Sequence, residues 1–133
     1  MLIHMDCVGE EVDVNKRVLL AEDETDLRKM MKILLELHGY DVIEAADGYE
    51  AVEKAVELGP DLILMDIAMP VMDGIDSTLT IRRHDELNGV PIVAVTAYGD
   101  FYRKRAKSAG CVDVIQKPID FGQLKPMIER YIS

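Results

Sequence analysis

Three carboxylates, one hydroxyl and one amine recur at the same kind of place in this 133-residue chain, the end of a short apolar block. Glu22 and Asp23 follow "RVLLA" (17–21), and Asp66 ends "PDLILMD" (60–66). Thr96 falls near the end of "VPIVAVTA" (90–97), and Lys117 ends "CVDVIQK" (111–117). Any one of them alone is ordinary, because loops begin where strands end; the set is not. Carboxylates drawn together oppose one another's ionisation, and a divalent cation with the Lys117 ammonium restores neutrality. Mg²⁺ suits such a group, since it takes a few carboxylates and keeps several waters. Its candidate ligands are Glu22, Asp23, Asp66 and the backbone carbonyl of Ala68, two residues further on. A carboxylate so placed is also a nucleophile for a phosphoryl group. Forming that bond needs positioning and positive charge more than an acid–base pair. Asp66 is therefore the candidate acceptor, with Lys117 and Thr96 pairing with other phosphoryl oxygens. Burying a carboxylate without such a use is costly. "MPVMDG" (69–74) reads as a turn folding back over the cation, with Gly74 relaxing the backbone where it turns.

These side chains converge only if the blocks are parallel strands. With "YDVIEA" (40–45), five such blocks alternate with helical patterns, and several are apolar throughout, as strands covered on both faces are. Leu27, Met30, Met31, Leu34 and Leu35 follow helical spacing and read as core filler ahead of a stop at Gly39. "DGYEAVEKAVELGP" opens on an Asp47-x-x-Glu50 cap and ends at Gly59-Pro60. Further helices are expected near Asp76–His84, where Ser77, Thr78 and Thr80 dilute the apolar face, over about Asp100–Ala109, and over Phe121–Ile132. Pro126 requires the last either to begin later than Phe121 or to bend. Five strands and five helices in alternation predict an α/β fold with a doubly wound parallel sheet. In such sheets the site lies beyond the carboxyl ends of the strands.

The bulk properties agree. One domain, residues 17–133, is expected behind a flexible extension, Met1–Lys16. A net charge of −10 repels phosphate backbones and argues against direct nucleic-acid binding. The densest basic stretch, "YRKRAK" (102–107), reads as one solvated helix face. Cys7 and Cys111 lack metal-site spacing and suit free thiols in a reducing cytoplasm. The chain shows no membrane-length apolar run, and "MLIHMDCV" has neither the basic start nor the apolar stretch of a signal peptide.

"AEDE" (21–24), "LILMDIAMPVMDG" (62–74), "VAVTA" (93–97) and "QKP" (116–118) together resemble the receiver domains of two-component response regulators, from Arg17 to about Ile132. The resemblance implies a flavodoxin-like sheet of order 2-1-3-4-5. It implies that Asp66 takes a phosphoryl group from a histidine kinase or histidine phosphotransfer protein. Asp23, Asp66 and the Ala68 carbonyl would then bind Mg²⁺ directly, and Glu22 through water. Thr96 and Lys117 would hold the phosphoryl group, and Lys117-Pro118 would be cis. "LMDIAMPVMDGI", "AVTAY" and "KPID" look most like receivers of hybrid kinases in a phosphorelay.

One position departs from the pattern. Val114 stands where the family commonly has an aromatic that turns inward when the threonine moves. Tyr98 and Ala68 flank the phosphoryl site, at positions that tune dephosphorylation in the family. Output is expected through the face of the fourth helix, fifth strand and fifth helix, with Tyr98, Tyr102, Lys104, Asp113 and Gln116, and a homodimer is left open. The competing reading is a receiver-like adaptor that works without phosphorylation, which Val114 favours and the five site residues oppose. A haloacid-dehalogenase-like phosphohydrolase would need an acid where Ala68 stands. A flavin-binding fold would need a phosphate loop where "EDETD" (22–26) stands.

Overall fold

The structure, a computed structural model, describes residues 2–5 and 11–132, with side chains from residue 15 onward. Five parallel strands form one sheet: β3 (Arg17–Ala21), β4 (Asp41–Ala45), β5 (Leu62–Asp66), β6 (Ile92–Thr96) and β7 (Asp113–Gln116), in the order β4-β3-β5-β6-β7. Numbered within the sheet, that is 2-1-3-4-5, as expected. Ahead of them, β1 (Leu2–Met5) and β2 (Glu11–Val14) pair antiparallel as a separate two-stranded unit, which the sequence reading does not anticipate. Met1 and residues 6–10 lie outside the described residues, and the expected flexibility there lies outside with them.

Strand alternation assigns the two faces. Val18 and Leu20 point with Leu62, Leu64 and Val93 toward α1 (Thr25–Leu37) and α5 (Phe121–Ile132). Leu19, Ile63 and Met65 point the other way, toward α2 (Gly48–Leu58), α3 (Gly74–Ile81) and α4 (Gly99–Ala109). The central strands β5 and β6 are buried at every residue, which is why their sequences are apolar throughout.

Local chemistry sets the helix ends. The Asp47 carboxylate accepts from the Glu50 amide at 2.7 Å, and Gly59 closes α2 in the left-handed conformation at φ 55°. α1 stops at Leu37, where His38 and Tyr40 amides both return to the Leu35 carbonyl around Gly39. α3 begins at Gly74, earlier than its diluted face suggested, because Asp73 caps it by accepting from the Asp76 amide at 2.8 Å. Ser77 and Thr78 do not weaken this helix. Both are fully buried; Ser77 donates to the Gly48 carbonyl at 2.9 Å, and Thr78 meets the Cys111 sulfur at 3.7 Å. α5 starts at Phe121 with Pro126 inside it, so a later start is excluded. Asp120 caps that helix through the Gly122 amide at 2.8 Å.

The core reading of α1 needs one correction. Met31 and Leu35 are buried, but Met30 is 52% exposed, and Ile33 and Leu37 stand out beside it. The helix carries a second apolar stripe at i, i+3, i+7, pointed away from the sheet. The expectation that both methionines fill the core fails because the first stripe alone covers the α1 side of β3.

Candidate functional site

Beyond the carboxyl ends of β3, β5 and β6 lies a cleft of about 460 Å³, lined by Glu22, Asp23, Glu24, Asp66, Ala68, Thr96, Ala97, Tyr98, Tyr102 and Lys117. The candidate metal and phosphoryl residues Glu22, Asp23, Asp66, Ala68, Thr96 and Lys117 all line it. Parallel register explains the convergence, since Asp66 pairs with Val95 and Thr96 with Gln116 across neighbouring strands. Glu22, Asp66 and Thr96 are each 2% exposed, whereas Asp23 faces solvent.

Lys117 bridges the two buried acids. Its Nζ lies 3.0 Å from Glu22 Oε1 and 3.2 Å from Asp66 Oδ2. Asp66 Oδ1 accepts from the Ala68 amide at 3.2 Å, and Glu22 Oε2 accepts from the Glu24 amide at 3.1 Å. The Thr96 hydroxyl oxygen accepts from the Tyr98 amide at 3.1 Å, which leaves its O–H free to donate into the cleft. The Lys117-Pro118 peptide is cis, as the resemblance implies.

The charges are unequally held. Burial and the neighbouring Glu22 charge push the Asp66 carboxyl up to about 7, against the pull of Lys117. Burial also pushes Glu22 up, but the Glu24 amide and Lys117 outweigh it and hold that carboxyl below the usual range. Burial pulls Lys117 down, and its two acidic partners more than reverse this. One ammonium does not neutralise the buried acids, and the surplus charge raises the affinity of Asp66 for a proton.

A cation can replace that proton. Glu22, Asp23 and Asp66 each offer an oxygen within 4.8 Å of the others, the hard-donor set that Mg²⁺ takes. Ala68, directly beyond, is exposed on the cleft rim.

The loop after Asp66 differs from its expected role in one respect. Gly74 has no positive φ, so it does not relax a turn; it makes room. A Cβ there would sit 2.3 Å from the Asp66 carbonyl oxygen. The unusual backbone is at Val71, φ 69°, where the Met72 amide donates to the Pro70 carbonyl at 2.7 Å in a γ-turn. A β-branched residue is poorly suited to that region. Val71→Gly is accordingly expected to stabilise the protein by about 1 kcal/mol, read as a higher urea midpoint at unchanged slope.

Three neighbours of the site were not assigned to it from the sequence. Arg28 donates to the Glu22 carbonyl at 2.8 Å and pairs with Glu44 at 3.1 Å, fixing the β3–α1 loop to β4. Tyr102, placed on the partner face, lines the cleft, and Lys104 lines a groove between α3 and α4. Leu27, Met30, Pro118 and Ile119 form an apolar shelf that continues from Lys117 onto the outer stripe of α1. The extra apolar positions Ile33 and Leu37 are the signal that marks this stripe in the sequence. Among the described residues, no helix is long and apolar enough to cross a membrane.

A five-stranded, doubly wound sheet with paired acids, a hydroxyl and an amine at its carboxyl edge defines a phosphoacceptor class of α/β domain. The family model of the response regulator receiver domain matches residues 18–129, and the chain belongs to that family. It is a phosphoacceptor signalling domain of the two-component type. Among its relatives is the polar-differentiation response regulator DivK of Brucella anthropi, 38% identical over 121 residues that span 89% of this chain and 97% of the relative. The receiver domain of the Pseudomonas aeruginosa sensor histidine kinase PA1611, with a magnesium ion coordinated in its active-site cleft, is 34% identical with TM-score 0.84, covering 90% of this chain and 98% of that one. The Thermotoga maritima response regulator TrrA, solved with Mg²⁺ and BeF, is 28% identical with TM-score 0.79, covering 87% and 98%.

Proposed function

We propose that Asp66 is the residue that receives the phosphoryl group, from a phosphohistidine of a histidine kinase or a histidine phosphotransfer protein. The observation that carries this is the Lys117 ammonium held at 3.2 Å from a carboxylate buried on every side but the cleft. An Asp66 carboxylate oxygen attacks phosphorus as the P–N bond breaks, and the bonding pair returns to the imidazole. Lys117 turns from the carboxylates to one phosphoryl oxygen, and the Thr96 O–H donates to another. Asp23, Asp66 and the Ala68 carbonyl, with Glu22 through water, would hold Mg²⁺, which would neutralise charge on the transferring group. Tyr98 and Ala68 stand at the rim, where they govern access of water to the acyl phosphate and so its self-hydrolysis.

The partners follow from the surfaces. The shelf of Leu27, Met30, Pro118 and Ile119 receives the phosphodonor, since it borders the cleft and continues along α1. The face of α4, β7 and α5, where Arg103 and Arg130 flank Asp113, carries the signal onward to a downstream protein or a second copy. With Cys111 a buried free thiol, the reading assigns the domain to the reducing cytoplasm.

Incubation with acetyl phosphate and Mg²⁺, followed by intact-mass measurement, is expected to show one added phosphoryl group that chelator prevents; an unchanged mass refutes the reading. Millimolar Mg²⁺ alone is expected to raise the melting temperature, by about 1.4 kcal/mol of stability at a tenfold excess over its dissociation constant. A melting curve indifferent to Mg²⁺ would remove the metal from the site. The adaptor reading, favoured by Val114 alone, requires partner binding that ignores phosphodonor.

A further inference from the structure

The Thr96 loop is tied to the sheet by a side chain that the site's chemistry does not use. Gln116 stands directly across from Thr96 in the β6–β7 register. Its amide spans the loop that follows Thr96: Oε1 accepts from the Gly99 amide at 2.9 Å, and Nε2 donates to the Ala97 carbonyl at 2.9 Å. Gly99 is the first residue of α4, and the residue before it, Tyr98, makes no side-chain cap. Gln116 therefore supplies from β7 a partner that the helix start lacks in its own sequence. The fit is close, since a Cβ on Gly99 would lie 2.6 Å from Gln116 Oε1.

We infer that Gln116 is the positioning residue through which displacement of the Thr96 loop reaches α4. The inference rests on the reading that Thr96 donates to a phosphoryl oxygen. Thr96 cannot shift toward the cleft without moving Ala97 and Gly99, because Tyr98 already ties its own amide to the Thr96 hydroxyl. Both ends of the Gln116 amide must follow or let go. Following drags the start of α4; letting go leaves the Gly99 amide without its partner. Either way the helix registers the change. Val114, two residues earlier on β7, offers no alternative route. It is 7% exposed among Ala106, Ala109 and Cys111, and it has no polar group to exchange.

Beryllofluoride with Mg²⁺, a phosphoryl mimic, tests this in the intact chain by amide NMR spectra of wild type, Gln116→Met and Gln116→Glu. Methionine keeps the length and loses both hydrogen bonds, whereas glutamate keeps the acceptor for Gly99 and loses the donor to Ala97. In wild type the amides of Ala68 and of Asp100 to Arg105 are expected to shift. In Gln116→Met the Ala68 shift persists while the α4 shifts shrink about twofold or more, and Gln116→Glu falls between. A wild-type α4 response in Gln116→Met overturns the inference and leaves the phosphoacceptor reading standing. Absence of any Ala68 change in wild type overturns both. Loss of spectral dispersion in either variant shows Gln116 to be a structural brace only, which also overturns it.

Discussion

Asp66→Asn is expected to abolish the mass gain with acetyl phosphate and, in metal-free buffer, to make the folded protein more stable at pH 7. The two effects share one cause. The Asp66 carboxyl is raised from 3.8 to about 7 by burial and by Glu22. Between those values the folded protein holds a proton that the unfolded chain has released, so the unfolded state binds fewer protons and stability falls as pH rises. The loss is complete above pH 7, at roughly 2 to 4 kcal/mol. Asparagine has the same shape and no charge, so the decline between about pH 5 and pH 7.5 should vanish in the variant. Glu44 does not confuse the measurement. Burial opposes its ionisation, but Arg28, Lys29 and Lys32 prevail and hold it at about 2, so its stabilisation is lost only as pH falls below 4.5 toward that value. Urea titrations across the upper window check the prediction, and a variant that keeps the wild-type slope refutes it. Mg²⁺ should narrow the gap by stabilising wild type while leaving Asp66→Asn almost unmoved.

Ile33→Glu is expected to slow phosphotransfer from a partner kinase about tenfold or more while leaving phosphorylation by acetyl phosphate unchanged. Ile33 is 59% exposed at the middle of the outer α1 stripe, between Met30 and Leu37. Nothing in the chemistry reaches it, so a small phosphodonor is blind to the change. A protein donor that buries this stripe must instead desolvate a new carboxylate. Little stability is at stake, because glutamate is a good helix former and the position faces solvent. Equal loss with both donors would place the defect in the fold and refute the docking role of α1.

How far the sequence carries depends on whether a residue's role is set along the chain or across it. The strands were legible because apolar runs such as "LILMD" and "IVAVT" admit few other structures, and the site followed because parallel strands deliver their ends to one edge. Gly59 and Asp47 were legible as local punctuation. The α3 hydroxyls read as diluting the helix because their partners, Gly48 and Cys111, come from elsewhere in the chain. Met30 reads as core because periodicity finds a stripe without saying which of two stripes faces the sheet. Gly74 leaves space rather than bending the chain, a distinction that only three-dimensional proximity reveals. The β1–β2 pairing goes unannounced because only Glu11–Val14 alternates polar and apolar, while its partner Leu2–Met5 does not.

Gly48 and Gly74 extend that last point. A Cβ on Gly48 would approach the Met72 carbonyl oxygen to 2.1 Å, just as one on Gly74 would meet the Asp66 carbonyl. Three stretches of main chain thus stack without a methyl group between them, directly beneath the acceptor. A saturation scan scored by signalling output should therefore flag both glycines as intolerant even to alanine, although neither can touch a phosphate. Such a map, read without coordinates, would mistake two spacers for chemistry.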